Sequence, residues 1–90
     1  MRKFIIQTNA ISNAQQVQSQ NSNAIIFTNL SDGIVYVENV PIPAYVVGMQ
    51  EYPTLIYSGL DGEILLGSFN VKMGTSLTPL VLITRKTYSN

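Results

Sequence analysis

Short runs rich in β-branched and aromatic residues, separated by turn signals, constrain the fold of this chain most. Residues 24–29, 34–40, 54–58 and 80–86 are such runs. No stretch of about a dozen residues has the apolar spacing of three and four that an amphipathic helix requires. Strands broken by turns every 8–12 residues or so are typical of sandwiches and barrels. Because the connections are too short for parallel crossovers, the sequence predicts an all-β fold, a small antiparallel β-sandwich or barrel.

The first Asp-Gly pair, Asp32-Gly33, lies between residues 24–29 and 34–40. Asp-Gly between two apolar runs favours a β-hairpin, because glycine tolerates the positive φ that a tight turn requires. The sequence therefore predicts a hairpin here, with residues 34–40 as its return strand.

The second pair, Asp61-Gly62, predicts another turn, which leads into a strand within residues 64–73. Gly67 interrupts that run, which indicates a bulge or a bend.

Two prolines, Pro41 and Pro43, break the β pattern in the middle of the chain. Proline cannot donate to a sheet ladder, so this segment is predicted to be an edge strand or a crossing connection. Residues 44–47 then predict a short strand, and residues 49–53 a loop.

The chain is predicted to be one domain, residues 1–90, in which residues 1–23 are an N-terminal arm or an edge-strand segment. Residues 3–7 favour a first strand, or an arm that adds to a neighbour's sheet. Residues 7–23 are rich in Gln, Asn and Ser, and within them residues 14–20 fit a weak edge strand or disorder equally well. No apolar run approaches the roughly 20 residues of a membrane span, so none is predicted.

Charge is scarce: 11% of the residues are charged, and the net charge is zero. An exposed monomer usually carries more charge for solubility, about 25% or above. The chain also has no cysteine, so it lacks disulfides. These features favour a surface covered by neighbouring copies, hence a homo-oligomer. The alternative is an ordinary domain with a neutral polar surface.

Residues for catalysis are few. The chain has neither His nor Cys, which excludes Ser-His-Asp and Cys-His arrangements. The nearest pair of carboxylates, Asp61 and Glu63, falls at a predicted turn and is interpreted as a solvated tip. No phosphate-binding glycine loop or metal-ligand cluster is recognisable. The sequence therefore predicts no enzyme, no cofactor and no metal.

Five cations are present: Arg2, Lys3, Lys72, Arg85 and Lys86. If the first and last strands pair, four of them would form a small basic patch. The zero net charge nevertheless argues against direct binding of nucleic acid. The alternative is solubilising charge on edge strands, with Arg85 and Lys86 at the end of the last strand.

Tyrosine is the most informative side chain, because it is enriched at protein interfaces. Tyr52, beside a proline in a predicted loop, is the best candidate for an interface anchor. Tyr36 and Tyr57 are interpreted as tyrosines at the edge of the core. The candidate interface residues are Tyr45, Tyr52, Arg85 and Lys86.

A sequence resemblance adds to this interpretation. The run Ile-Val-Tyr-Val-Glu-Asn-Val-Pro-Ile over residues 34–42 is followed by a glycine loop. Gly-Glu-Ile at residues 62–64 and a last strand ending Ile-Thr-Arg-Lys at residues 83–86 complete the pattern. This order resembles small virion proteins of bacteriophages, which form minor capsid, vertex or spike components.

The resemblance implies a compact β-sandwich or barrel that assembles around a symmetry axis and has no catalytic residues. It predicts a non-catalytic structural protein of a virus particle, capsid-associated at a vertex or as decoration and located in the virion. Its partners would be other copies, through heterologous contacts, and other capsid proteins. The alternative is a receptor- or carbohydrate-binding β module, which would place exposed Tyr45 and Tyr52 on one patch.

Overall fold

The computed structural model describes residues 3–75 and 78–89, and every described element is a strand. The strands are β1 (Lys3–Ile11), β2 (Gln15–Gln18), β3 (Ala24–Asn29), β4 (Val35–Val37), β5 (Val40–Ile42), β6 (Thr54–Ser58), β7 (Ser68–Met73) and β8 (Val81–Ser89).

The strands form two antiparallel sheets of four strands each, so the predicted all-β fold is confirmed as a small β-sandwich. Sheet A has the order β1-β8-β3-β6, and sheet B has the order β2-β7-β4-β5. The chain changes sheet between β1 and β2, and it does so repeatedly after that. Most connections therefore cross from one sheet to the other.

The core lies between the two sheets. Along β3, inward residues alternate with half-buried ones, so Ile25 and Phe27 are fully buried. The ring of Phe27 meets Tyr57 of β6 edge to face, with centroids 6.2 Å apart. It also meets Phe69 of β7 at 5.6 Å. Aromatic contacts thus join sheet A to sheet B. The other fully or nearly buried apolar residues are Ile11, Val17, Val35, Val37, Ile42, Val71, Val81 and Ile83.

The predicted hairpin at Asp32-Gly33 is wrong. The flanking strands β3 and β4 belong to different sheets, and Gly33 is not among the residues with positive φ. The chain turns instead at Glu38-Asn39, where φ is 49° and 65°, and this turn joins β4 to β5. Two consecutive positive φ values are the geometry of a two-residue hairpin turn. The predicted strand over residues 34–40 is therefore split in two.

The second predicted turn is confirmed, with φ of 88° at Gly62. It does not form a hairpin either, because β6 and β7 lie in different sheets. Gly67 has φ of 92°, and β7 begins only after it, at Ser68. The bend predicted at Gly67 thus shortens the strand predicted within residues 64–73.

The middle of the chain matches its prediction in part. β5 contains Pro41 and lies at the edge of sheet B, as the prolines predict. Residues 44–47 do not form the predicted strand and belong to the connection of residues 43–53 between β5 and β6.

The N-terminal segment is part of the sheets. β1 pairs with β8 along its whole length, from Lys3 opposite Ser89 to Ile11 opposite Val81. β2 pairs with β7 at the edge of sheet B. The structure therefore favours edge strands over a free arm or a disordered tract in residues 3–18. The last strand is longer than predicted and ends at Ser89.

Candidate interaction surfaces

Among the described residues, no strand pairs with the outer edge of β1. Across β3 and β8, Leu30 N–H donates to the Leu80 carbonyl at 3.0 Å. Along an antiparallel strand the backbone N–H and C=O groups of successive residues point to opposite neighbours. The backbone groups of even-numbered residues of β8 therefore bond to β3, and those of odd-numbered residues bond to β1. By register, odd residues of β1 therefore bond β8. The N–H and C=O groups of Phe4, Ile6, Thr8 and Ala10 point away from the sheet.

The side chains of β1 are exposed on both faces of the strand. Only Ile11 is buried, whereas Ile5 is 48% and Ile6 60% exposed. Phe4 lies on the outer face, with its ring 4.9 Å from that of Tyr88. The Lys86 ammonium lies 3.9 Å above the centre of the Phe4 ring, a cation–π contact. The start of β1, residues 4–6, thus offers apolar surface as well as a backbone edge.

A second apolar surface lies on the connection of residues 43–53. The rings of Tyr45 and Tyr52 stack at 4.4 Å between centroids with a tilt of 34°. Val46 N–H donates to the Met49 sulfur at 3.2 Å, which closes a tight turn. At the tip Val47 is 90% exposed. The structure therefore brings together the two tyrosines that the sequence singled out.

Arg85 does not lie on the surface. Its side chain faces the interior and is 7% exposed. Nε and Nη2 donate to the Gln18 carbonyl at 3.0 and 2.8 Å, and Nη1 donates to Asn9 Oδ1 at 2.8 Å. Burial lowers the pKa of this guanidinium below its ordinary value. Arg85 thus ties β8 to β1 and to the end of β2, and it has no exposed cation to offer an interface.

Of the four cations predicted to form a basic patch, the structure describes Lys3, Arg85 and Lys86, and these three do not share one exposed face. β1 and β8 do pair, but alternation places Arg85 inside and Lys86 outside, and Lys3 lies on the same side of sheet A as Arg85. Lys72, the fifth cation, lies on β7 in the other sheet. β8 is an interior strand, so the interpretation of Arg85 and Lys86 as charges on an edge strand is wrong. Arg2 lies outside the described residues.

Two buried asparagines hold connections in place, and the sequence pattern predicted neither of them. Asn29 Nδ2 lies 2.9–3.1 Å from the carbonyl oxygens of Gly33, Ile42 and Pro43, so its two hydrogens serve three acceptors and one hydrogen is shared. Its Oδ1 accepts from Ser31 N–H at 2.8 Å. These bonds give partners to carbonyls in the connections and to the amide of Asn29, which offsets the desolvation of this fully buried side chain. Its position two residues after Phe27, on the inward side of β3, was the available signal.

Asn23 acts in the same way at the other end of β3. Its Nδ2 donates to the Leu60 and Glu63 carbonyls at 3.0 and 2.8 Å, across the connection between β6 and β7. At that connection Glu63 Oε1 accepts from Leu60 N–H at 2.6 Å, which closes the turn. The Glu63 carboxylate is thus engaged locally, and Asp61 is exposed. This agrees with the interpretation of the pair as a solvated tip.

The two remaining tyrosines of interest differ from each other. Tyr57 packs against the core as predicted, and burial, with a smaller contribution from Glu38, raises its pKa above the ordinary value. Tyr36 instead lies on the outer face of sheet B and is 37% exposed, so its assignment to the core edge is wrong.

In the described part of the chain there is no pocket and no group of three or more residues suited to hold a metal ion.

Comparisons with known proteins found no match to this chain among family models, curated proteins or solved structures. Within residues 3–75 and 78–89, no helix is long and apolar enough to cross a membrane.

Proposed function

We propose that this chain is a non-catalytic structural protein of a virus particle, self-assembling and associated with the capsid at a vertex or as decoration. The phage resemblance described above supplies the virion context. The observation that carries the structural role is the separation of exposed apolar surfaces. Two of them are the start of β1 and the tip of residues 43–53, and the connection between β6 and β7 adds Leu60 and Leu66, which are 76% and 78% exposed.

Two separate apolar surfaces suit a subunit with more than one neighbour. The connection of residues 43–53 reaches sheet A at the end of β3, where Asn29 N–H donates to the Pro53 carbonyl at 2.9 Å. The exposed start of β1 lies toward the opposite end of sheet A, since Ile6 pairs with Lys86 and Lys86 with Ala24. Apolar side chains exposed in groups mark interaction sites. A subunit with such a site at each end has the contacts that an extended assembly needs.

The low charge supports the same proposal. With 11% charged residues and zero net charge, the chain relies on neutral polar groups for solubility. A surface covered by neighbours needs fewer charges. Partners in the proposal are other copies of the chain and other capsid proteins.

Light scattering of the purified chain over a concentration series tests this proposal. We expect a discrete oligomer or growth into larger shells, and negative-stain microscopy should show rings or shells. Val47→Asp should reduce the mean mass, because it charges the most exposed of the large apolar side chains that the structure describes. Ser12→Asp is the control, since it adds the same charge at an exposed polar position. A monomer at every concentration contradicts self-assembly.

A second candidate function is a receptor- or carbohydrate-binding module. The stack of Tyr45 on Tyr52 favours it, because an exposed aromatic face can pack against the apolar face of a sugar ring. Tyr52 is 49% exposed, which leaves part of its ring accessible.

Titration with a panel of oligosaccharides, followed by NMR, tests this second candidate. Binding that Tyr52→Ala abolishes and Tyr36→Ala preserves would support it. Tyr36 is the matched control, because it is also partly exposed but lies on sheet B. Binding that both variants retain would contradict a site at the tyrosine stack.

A further inference from the structure

We propose that two copies of this chain pair edge to edge through β1, in antiparallel orientation, with Gln7 of each copy on the twofold axis. This inference deepens the proposed self-assembly and rests on it. The contact would join two copies of sheet A into one continuous sheet of eight strands.

The register follows from the backbone. The groups that point outward from β1 belong to its even-numbered residues, Phe4, Ile6, Thr8 and Ala10. Antiparallel pairing centred on Gln7 sets Phe4 opposite Ala10 of the second copy, and Ile6 opposite Thr8. Each such pair exchanges two backbone hydrogen bonds, so all outward groups of both copies are satisfied. A shift of the centre by one residue in either direction leaves Phe4 or Ala10 unpaired.

Side-chain size agrees with this register. On the outer face the large ring of Phe4 comes to lie beside the small Ala10 of the second copy. Ile6 comes to lie beside Thr8, a β-branched pair of the kind that stabilises sheets. At the axis the two Gln7 amides face each other, and each carries both donors and an acceptor.

Charge decides the orientation. Lys3 is the only charged residue of β1 and lies at one end of it. Antiparallel pairing separates the two lysines by about the length of the strand, roughly 27 Å for eight residue steps. Parallel pairing would set them side by side, and directly opposed like charges destabilise a sheet. No proline, bulge or inward charge protects this edge along the nine residues of β1.

The contact is isologous, whereas the sequence predicts heterologous contacts for a ring. It therefore uses a different surface from the tip of residues 43–53, which stays free for other neighbours. We assign a second copy of the chain to this edge because β1, run in the opposite direction, supplies the backbone partners, the small residue opposite Phe4 and the separation of the two Lys3 charges.

The test is disulfide trapping, for which a chain without cysteine provides a clean background. In the proposed register Gln7 opposes itself in a pair without hydrogen bonds, where Cα atoms are about 4.5 Å apart, within the range for a disulfide. Gln7→Cys should oxidise to a linked dimer roughly 100-fold faster than the control, because pairing raises the effective thiol concentration to the millimolar range.

Two controls make the result specific. Ile5→Cys lies on the same face of the same strand but should be about 14 Å from its copy in this register. Gln16→Cys lies on β2, an exposed edge of the other sheet. Trapping at Ile5→Cys equal to that at Gln7→Cys would overturn the register. Trapping at Gln7→Cys no faster than at Gln16→Cys would overturn the β1 contact.

Light scattering of the unmodified chain separates this inference from the proposed function. Oligomers without selective trapping at Gln7→Cys would overturn the β1 contact and leave self-assembly standing. A monomer at all concentrations would overturn both.

Discussion

β1 lies at an edge of sheet A and β5 at an edge of sheet B, but only β5 has a proline that removes a backbone donor from its outer side. β1 has nine residues, no proline and exposed apolar side chains. β5 has three residues, with Pro41 at its centre. From this comparison we predict that the position of a few backbone donors decides whether an edge can pair, and that the polarity of the side chains matters less.

The position of Pro41 explains the difference. Val37 pairs with Val40 across the two-residue turn, so Val40 and Ile42 direct their backbone groups to β4. Pro41 is the residue whose N–H would point away from the sheet, and proline has none. At the corresponding positions of β1 every residue keeps its donor. Four predictions test this comparison, in order of decreasing effect.

The largest effect is expected at Asn29, which fixes the protected edge. Asn29→Ala removes the donor to the Ile42 and Pro43 carbonyls at the end of β5. Buried groups left without partners should lower the free energy of unfolding by about 3 kcal/mol. Chemical denaturation measures the loss. Asn13→Ala, at an exposed position, should change it by less than about 0.5 kcal/mol. A loss at Asn29 as small as the control would contradict this role.

The second prediction closes the open edge. Thr8→Pro removes an outward donor of β1, as Pro41 does in β5, and should weaken self-association roughly 10- to 100-fold while unfolding changes little. Gln7→Pro is the matched variant, because the Gln7 N–H points to β8. It should instead lower the free energy of unfolding by about 1–3 kcal/mol. Light scattering and denaturation together separate the two, and identical behaviour would refute the assignment of outward groups.

The third prediction opens the closed edge. Pro41→Val restores the outward donor of β5, and in a Thr8→Pro background it should raise self-association less than about tenfold, because the strand is only three residues long. The measurement is the mean mass against concentration. Recovery to the association of the unmodified chain would mean that strand length matters little.

The smallest effect concerns pH. The raised pKa of Tyr57 means that the fold stabilises the neutral phenol. This contribution is present below pH 10, where the unfolded chain also holds the proton, and is lost as pH rises through the raised pKa. The free energy of unfolding should therefore fall above pH 10, and Tyr57→Phe should reduce that fall. Glu38→Gln, in the turn before β5, should reduce this fall in the free energy of unfolding less than Tyr57→Phe does. An equal fall in all three chains would contradict the assignment to Tyr57.

Sequence pattern predicted the strands well where burial alternates or a run is continuous. The run predicted at residues 54–58 coincides with β6, and residues 81–86 of the run predicted at residues 80–86 fall within β8. Pro41 was assigned correctly to an edge. The pattern failed at Asp32-Gly33, because a local turn signal does not tell whether two strands share a sheet. It also missed the turn at Glu38-Asn39 inside an apolar run, where pairing of Val37 with Val40 outweighs local preference.

For the candidate surfaces, the interface preference of tyrosine, and for Tyr52 its place in a predicted loop, selected Tyr45 and Tyr52, and the fold brought them together. Arg85 was misplaced, because alternation fixes which neighbours share a face but not which face is inside.

The sequence by itself determined that the chain is all-β, carries few charges and has neither His nor Cys. The first property follows from the periodicity of the sequence, and the other two follow from its composition. Only the tertiary structure decided which strands are edges, which face of β8 is buried and where the asparagines find acceptors. Those depend on pairings between residues far apart in the chain, such as Asn9 with Arg85 and Asn29 with Pro43. Local preferences carry no information on such pairings, and the burial of one common core selects among them.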